Sequence, residues 1–256
     1  MPTVSRLCVT PVKGLALHEP DEVRLGEQGV AENRRFFLVD SVGFLFSGIN
    51  HGPLCLVRAE YDAERDSLSL EFPDGKVVEG SGVAGGDIVE TDFYGDRVVR
   101  SRVVEGPFAE ALSRYAGKEL RLVRPERLGD GCDLQPVTLL SDASVEELRR
   151  RAGRDEPLDG RRFRMLIHLE GCEPHEEDTW DGRLLGLGEA LVRVGGPVPR
   201  CATTTRSPDT GVRDFDTLRS IKAYRGLREG KKIDFGVYGT VERPGTVRVG
   251  DPALLE

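Results

Sequence analysis

Pro199-Arg200-Cys201 is the segment of this chain with the greatest chemical potential. A thiol follows a fixed positive charge. The pair comes after an alternating apolar run, Ala190-Leu191-Val192-Arg193-Val194, and before a polar exit through Thr203-Thr204-Thr205 and Ser207-Pro208-Asp209-Thr210-Gly211. A guanidinium beside a cysteine favours the thiolate, the form that attacks electrophiles or ligates soft metals. An unpaired cysteine also packs as a small hydrophobe, so ligand, nucleophile and core filler all stand as readings of Cys201. A nucleophile needs a base, and His18, His51, His168 and His175 show no nucleophile–base or metal-ligand spacing.

Cationic residues form the second chemical signal. Arg34-Arg35, Arg149-Arg150-Arg151 and Arg161-Arg162 with Arg164 are clustered in a chain whose net charge is −8. Phosphate backbones demand a broad basic footprint, so a nucleic-acid partner is not expected. A small basic pocket for an anionic ligand is compatible with an acidic whole. The Arg149 run reads as a solvated face. Five cysteines, at 8, 55, 132, 172 and 201, include no C-x-x-C pair, which argues against structural zinc and for reduced thiols in a cytoplasmic compartment. The N-terminus does not read as a signal peptide. No apolar run approaches the ~18 residues of a membrane span.

The elements that must position these residues are short. The 31 Gly and 15 Pro favour many turns, and apolar alternation punctuated every ten to fifteen residues is the pattern of a barrel or sandwich. Strands are predicted over 3–10, 34–39, 54–60, 67–72, 232–241 and 245–251. Gly80 to Gly86 reads as a flexible loop tip, without phosphate-loop spacing. Helices are predicted over 107–116, closed by Gly117; over 144–152, with Ser144 and Glu147 at capping-box spacing; and over 216–224. The turn-rich stretch near 125–135 marks a boundary. The fold class is therefore mainly β with a few helices (α+β), in two parts, 1–125 and 126–256.

An ordered set of motifs then resembles a known family. The first half carries Val9-Thr10-Pro11-Val12-Lys13-Gly14, Gly29 and Asn33-Arg34-Arg35-Phe36-Phe37-Leu38-Val39-Asp40. The second carries Phe163-Arg164, Gly171-Cys172, Glu177-Asp178-Thr179-Trp180, Arg200-Cys201, Thr204-Thr205, Pro208-Asp209-Thr210-Gly211 and Pro244-Gly245-Thr246-Val247-Arg248-Val249-Gly250-Asp251-Pro252. Together they resemble the MOSC-domain proteins with an N-terminal MOSC β barrel, similar to the mitochondrial amidoxime-reducing component family. The resemblance implies an N-terminal MOSC-type β domain followed by a MOSC β barrel. It further implies a molybdenum cofactor (Mo-molybdopterin) ligated by Cys201. Lys13, Arg35, Arg164, Arg200 and Tyr238 fall at its cofactor-contact positions, and Asp178 at an acidic position that either orients cofactor or substrate or belongs to a solvated acidic run beside a core Trp.

The implied activity is oxidoreduction, removing oxygen from small N-hydroxylated or N-oxide substrates. Its electrons would come from an external ferredoxin, flavodoxin or cytochrome, because the chain has no Cys cluster of its own. The alternatives are a non-catalytic carrier of the cofactor or its sulfur, and a thiol enzyme using Cys201. Several positions depart from the family pattern: Gly14 replaces a Ser, Met165-Leu166 replace Pro-Asn, Pro199 replaces a Ser, and Leu134-Gln135-Pro136 stands where a Thr-Ser-Pro-like stretch is usual.

Overall fold

The computed structural model describes all 256 residues. Its largest sheet has seven strands, in the order Thr3–Leu7, Ile167–Glu170, Val137–Ser141, Asp234–Arg243, Ala190–Pro199, Leu184–Leu187 and Ala253–Leu255. The edges nearly meet. Thr3 bridges Pro252, and Ala253 N donates to Pro2 O at 2.8 Å. A barrel-like sheet results, which leaves few of the unpaired backbone groups an open edge would expose.

The local sequence explains the closure. In Ala190–Pro199, Ala190, Val192 and Val194 point inward while Arg193 faces water, the two-residue period of a half-buried strand. Val137–Ser141 is buried at every position. One of its faces lines the barrel core with Leu139 and Trp180. The other lies under the helices Asp142–Arg151 and Thr217–Arg225, against Val145, Leu148 and Ile221.

The first half of the chain supplies a five-stranded sheet, ordered Leu45–Phe46, Phe37–Asp40, Leu120–Pro125, Arg97–Val104 and Ala84–Phe93, and a three-stranded meander of Arg58–Asp62, Ser67–Glu71 and Val77–Ser81. The helix Phe108–Ala116 closes their shared core of Phe36, Leu54, Leu70, Phe108 and Leu112. The division is not strictly sequential. Thr3–Leu7 is an edge strand of the large sheet, and Glu22–Leu25 pairs with Gly245–Arg248. Residues 3–25 therefore stitch the two halves together.

Three local expectations need correction. The strand expected over 54–60 begins only at Arg58, because Gly52–Leu56 is a 3-10 turn with proline near its start; Pro53 has no N–H to donate to a ladder. Gly80 to Gly86 is not a loose tip. Gly80 lies in Val77–Ser81, paired with Leu68, and a Cβ there would press on the Phe108 ring at 3.1 Å. The second helix is capped by Ser141, not Ser144. Ser141 Oγ accepts from Ser144 N at 3.1 Å, and Ser144 Oγ donates instead to the buried Glu177 at 2.7 Å. The Arg149 run forms ion pairs with Glu146 and Glu147 on the helix surface, as a solvated face should.

Candidate functional site

A cleft between the two halves holds most of the expected residues. Lys13, Arg34 and Tyr94 reach it from the first half; Asp133, Arg162, Arg164, Arg200 and Cys201 reach it from the second. It encloses ≈ 640 Å³ of space open to solvent.

Cys201 sits where the strand Ala190–Pro199 ends and the 3-10 turn Ala202–Thr205 begins. Pro199 closes the strand opposite Asp234. Beyond it the turn is held by its own hydroxyls: Thr204 Oγ1 donates to Cys201 O at 3.0 Å and Thr205 Oγ1 to Ala202 O at 2.7 Å. The threonine run thus presents the thiol at an exposed position of the cleft wall.

Arg200 extends beneath this turn. Its guanidinium donates to Phe163 O and, at 3.2 Å, to Met165 Sδ, and it stacks over the Phe163 ring. The Met165-Leu166 departure therefore supplies a soft acceptor to Arg200 and two buried packing groups. Burial pushes the Arg200 pKa down, against the opposing pull of Cys201, Tyr238 and Asp133. Arg164 is likewise depressed, to about 10, first by burial and then by Arg34. Its own φ is +54°, and it donates to Leu15 O at 2.5 Å. Neither guanidinium is paired with a carboxylate.

Across the cleft, Lys13 Nζ donates to Asp133 at 2.5 Å and to Gly131 O at 3.1 Å, while Arg34 lies 3.6 Å from the other carboxylate oxygen. Burial alone would raise Asp133, but Lys13 and Arg34 outweigh it and hold the carboxyl well below the usual range. Burial lowers Lys13 despite the nearby carboxylate. Asp133 is the one carboxylate among the lining residues, which include Lys13 and four arginines.

Lys13, Arg164, Arg200 and Cys201 are thus brought together as expected. Tyr238 is buried behind the wall, in register with the lining Thr138. Burial and then Asp133 push its phenol up to about 12, partly offset by Arg200 and Arg34. Two expectations are corrected. Arg34, not Arg35, enters the cleft. Arg34 takes a left-handed φ of +53° before the chain becomes a strand, and the following side chain then lies on the opposite side. Arg35 NH1 donates to Pro125 O at 3.2 Å, near Arg124 and Tyr61.

Asp178 lies outside the cleft. It occupies the 3-10 turn Glu176–Trp180 and pairs with Arg225 at 2.6 Å. The acidic residue before Trp180 fastens the third helix to the barrel. Asp178→Asn is expected to cost about 1 kcal/mol, the scale of a partly exposed ion pair, with metal content at the wild-type level. Denaturant melts and elemental analysis would check both; lost metal would return Asp178 to the site.

Sequence reasoning missed Arg34 and Asp133. The Arg34-Arg35 doublet marked the region but not which member turns inward, and Asp133 lay unremarked in a turn-rich stretch. No group of three or more His, Cys, Asp or Glu side chains is placed to hold a metal ion, so a metal at Cys201 must arrive with other ligands of its own. The surroundings suit such a metal-bearing anion. The buried Nε atom of Arg200 has no partner, and a buried cation without a carboxylate is costly until an anion meets it.

Comparison with known proteins agrees with this architecture. The MOSC domain family model matches residues 126–253, and the MOSC N-terminal beta barrel domain model matches 1–97. Mitochondrial amidoxime reducing component 2 of Macaca fascicularis is 40% identical, over 98% of this chain and 82% of its own length. Mitochondrial amidoxime-reducing component 1 of Mus musculus is 40% identical over 99% and 82%, and that of Homo sapiens 27% over 99% and 82%. With both family models falling in order along the chain, and a barrel-like sheet bearing the Arg-Cys turn, the chain belongs to the MOSC-domain family with an N-terminal MOSC β barrel.

Proposed function

We propose that this protein is a molybdenum-cofactor oxidoreductase that reduces small N-hydroxylated compounds with electrons from an external ferredoxin, flavodoxin or cytochrome. The observation that carries the proposal is an exposed thiol opening into a cleft whose five cations face one carboxylate. When bound, the cofactor supplies two-electron oxygen-transfer chemistry at its metal. Cys201 would ligate that metal. Lys13, Arg34, Arg164 and Arg200 would hold the terminal phosphate, which carries about −1.5 to −2 charges at neutral pH. Guanidinium suits this role because its planar fork gives phosphate two parallel hydrogen bonds. Tyr238 supports the wall from behind. For an amidoxime the balanced reaction takes two electrons and two protons, breaks the N–O bond, and releases amidine and water. The protein's share is ligation, charge compensation and a shaped mouth. Five unpaired cysteines support a reducing, cytoplasm-like setting.

Protein produced in a cofactor-competent host is expected to convert benzamidoxime to benzamidine with an artificial reductant. A fully loaded protein that turns over neither amidoximes nor N-oxides would instead be a carrier of the cofactor.

A further inference from the structure

Resting on that reading, we infer that the chain has a second oxyanion subsite, centred on Arg206, that takes a carboxylate or phosphate group of the substrate, with Arg164 at its border with the cofactor side. A smaller recess, ≈ 310 Å³ with its opening to solvent included, adjoins the Cys201 cleft, sharing Gly14, Gly48, Arg162, Arg164 and Thr203 as lining. Arg161, Arg206 and Cys55 are among its other lining residues, and no carboxylate lines it.

The charges there are unequally compensated. Arg161 is paired with Asp159 and Asp209, and Arg162 with Asp214. Arg164 and Arg206 have only backbone carbonyls. Arg206 donates to Gly211 O at 3.0 Å and to Ile49 O at 3.3 Å. Two buried donors remain unused, Nε of Arg206 and Nε of Arg162, the latter residue being only 4% exposed. Carbonyl dipoles do not neutralise a buried guanidinium, so the chamber retains a demand for negative charge.

Two of the five residues shared by the chambers, Gly14 and Gly48, have no side chain. Gly14 stands where the resembled family has Ser, at a φ of +93°. A Cβ at Gly48 would meet Thr203 Cγ2 at 3.3 Å. The two recesses adjoin through this shared lining. The cofactor's single terminal phosphate is served by Lys13, Arg34, Arg164 and Arg200, which leaves Arg206, outside that cleft's lining, for a different anion. A further depression lined by Leu17, Leu56 and Arg58 shares Cys55, Arg161, Arg164 and Pro208 with the subsite, and Arg58 and Asp209 are exposed on its rim. That continuation toward solvent suits an entering substrate better than a buried extension of the cofactor.

Inorganic phosphate, titrated calorimetrically into the cofactor-free chain at constant ionic strength, tests the subsite without relying on metal. Saturable binding is expected, weakened about tenfold or more in R206Q, since a hydrogen bond to a charged group contributes at least that factor, and largely retained in R206K. Should R206Q not fold, phosphate should still protect Cys55 of the unaltered chain from alkylation, as mapped by mass spectrometry. Absent phosphate binding, or absent protection, overturns the subsite and leaves the Cys201 reading intact, because metal content is measured separately. In loaded protein, R206Q should lower kcat/KM for 4-carboxybenzamidoxime relative to benzamidoxime about tenfold, through KM, with molybdenum retained. Lost molybdenum with an unchanged ratio would assign the anion to the cofactor and overturn the substrate assignment.

Discussion

Cys201→Ala is expected to reduce molybdenum from near-stoichiometric to background in protein made in a cofactor-competent host, and to abolish N-reduction with it. The thiol is exposed and fills no core space, so its removal should change stability by less than about 0.5 kcal/mol, as for other surface substitutions. For a chain of this size that is a melting shift of about 2 °C or less. The pairing of outcomes is the informative part. A packing cysteine would do the reverse, lowering the melting temperature and sparing the metal. A thiol nucleophile would lose activity in the variant while neither protein contained molybdenum. Metal retained at the wild-type level in a folded Cys201→Ala protein would sink the ligand assignment. No three-residue metal cluster stands ready to substitute for the thiol, so partial retention is not expected from protein ligands.

The second large effect is expected at a residue with no functional group. A Cβ on Gly131 would lie 1.8 Å from the Arg34 carbonyl oxygen. That contact is backbone against side chain and cannot be relieved by a rotamer change. Gly131 O also accepts from Lys13, and Asp133 two residues on pairs with the same ammonium. Gly131→Ala must therefore push this segment away from Arg34 and separate Lys13 from its carboxylate. Overpacking alone costs about 1–3 kcal/mol. Weakening the Lys13–Asp133 contact adds to this, though by less than for a sealed pair, because the Asp133 side chain is 37% exposed. A melting decrease of about 5–10 °C is expected, with loss of cofactor retention, since the displaced groups form one wall of the cleft. Calorimetric melting and elemental analysis of the purified variant would check both. A variant with wild-type melting would mean that this wall yields freely and that the Lys13–Asp133–Arg34 arrangement is not a rigid anchor.

Gly131 also shows where sequence reading stopped. Its role is a non-local approach between residues 34 and 131, and nothing in either segment's composition encodes that distance. The same holds for Asp133, which meets Lys13 across 120 residues of chain. Arg34 and Arg35 are chemically identical neighbours, and only the left-handed φ at Arg34 decides which one faces the ligand. Asp178 followed the family's acidic pattern but lies beside Arg225, outside the cleft, because the turn before Trp180 packs on the third helix.

What the sequence by itself determined was what local chemistry can carry. The alternation of Ala190, Val192 and Val194 marked an extended apolar run, Gly117 marked the end of a helix, which it closes in the left-handed conformation, and the segment after Arg200-Cys201 read as polar and turn-rich. The ordered motifs along both halves were enough to identify the family. Only the tertiary structure decided which cations converge, which carboxylate opposes them and where a second chamber opens. Those are sums of long-range contacts, in which the first 25 residues join the barrel of the last 130, and electrostatic compensation depends on distances that a linear pattern does not contain.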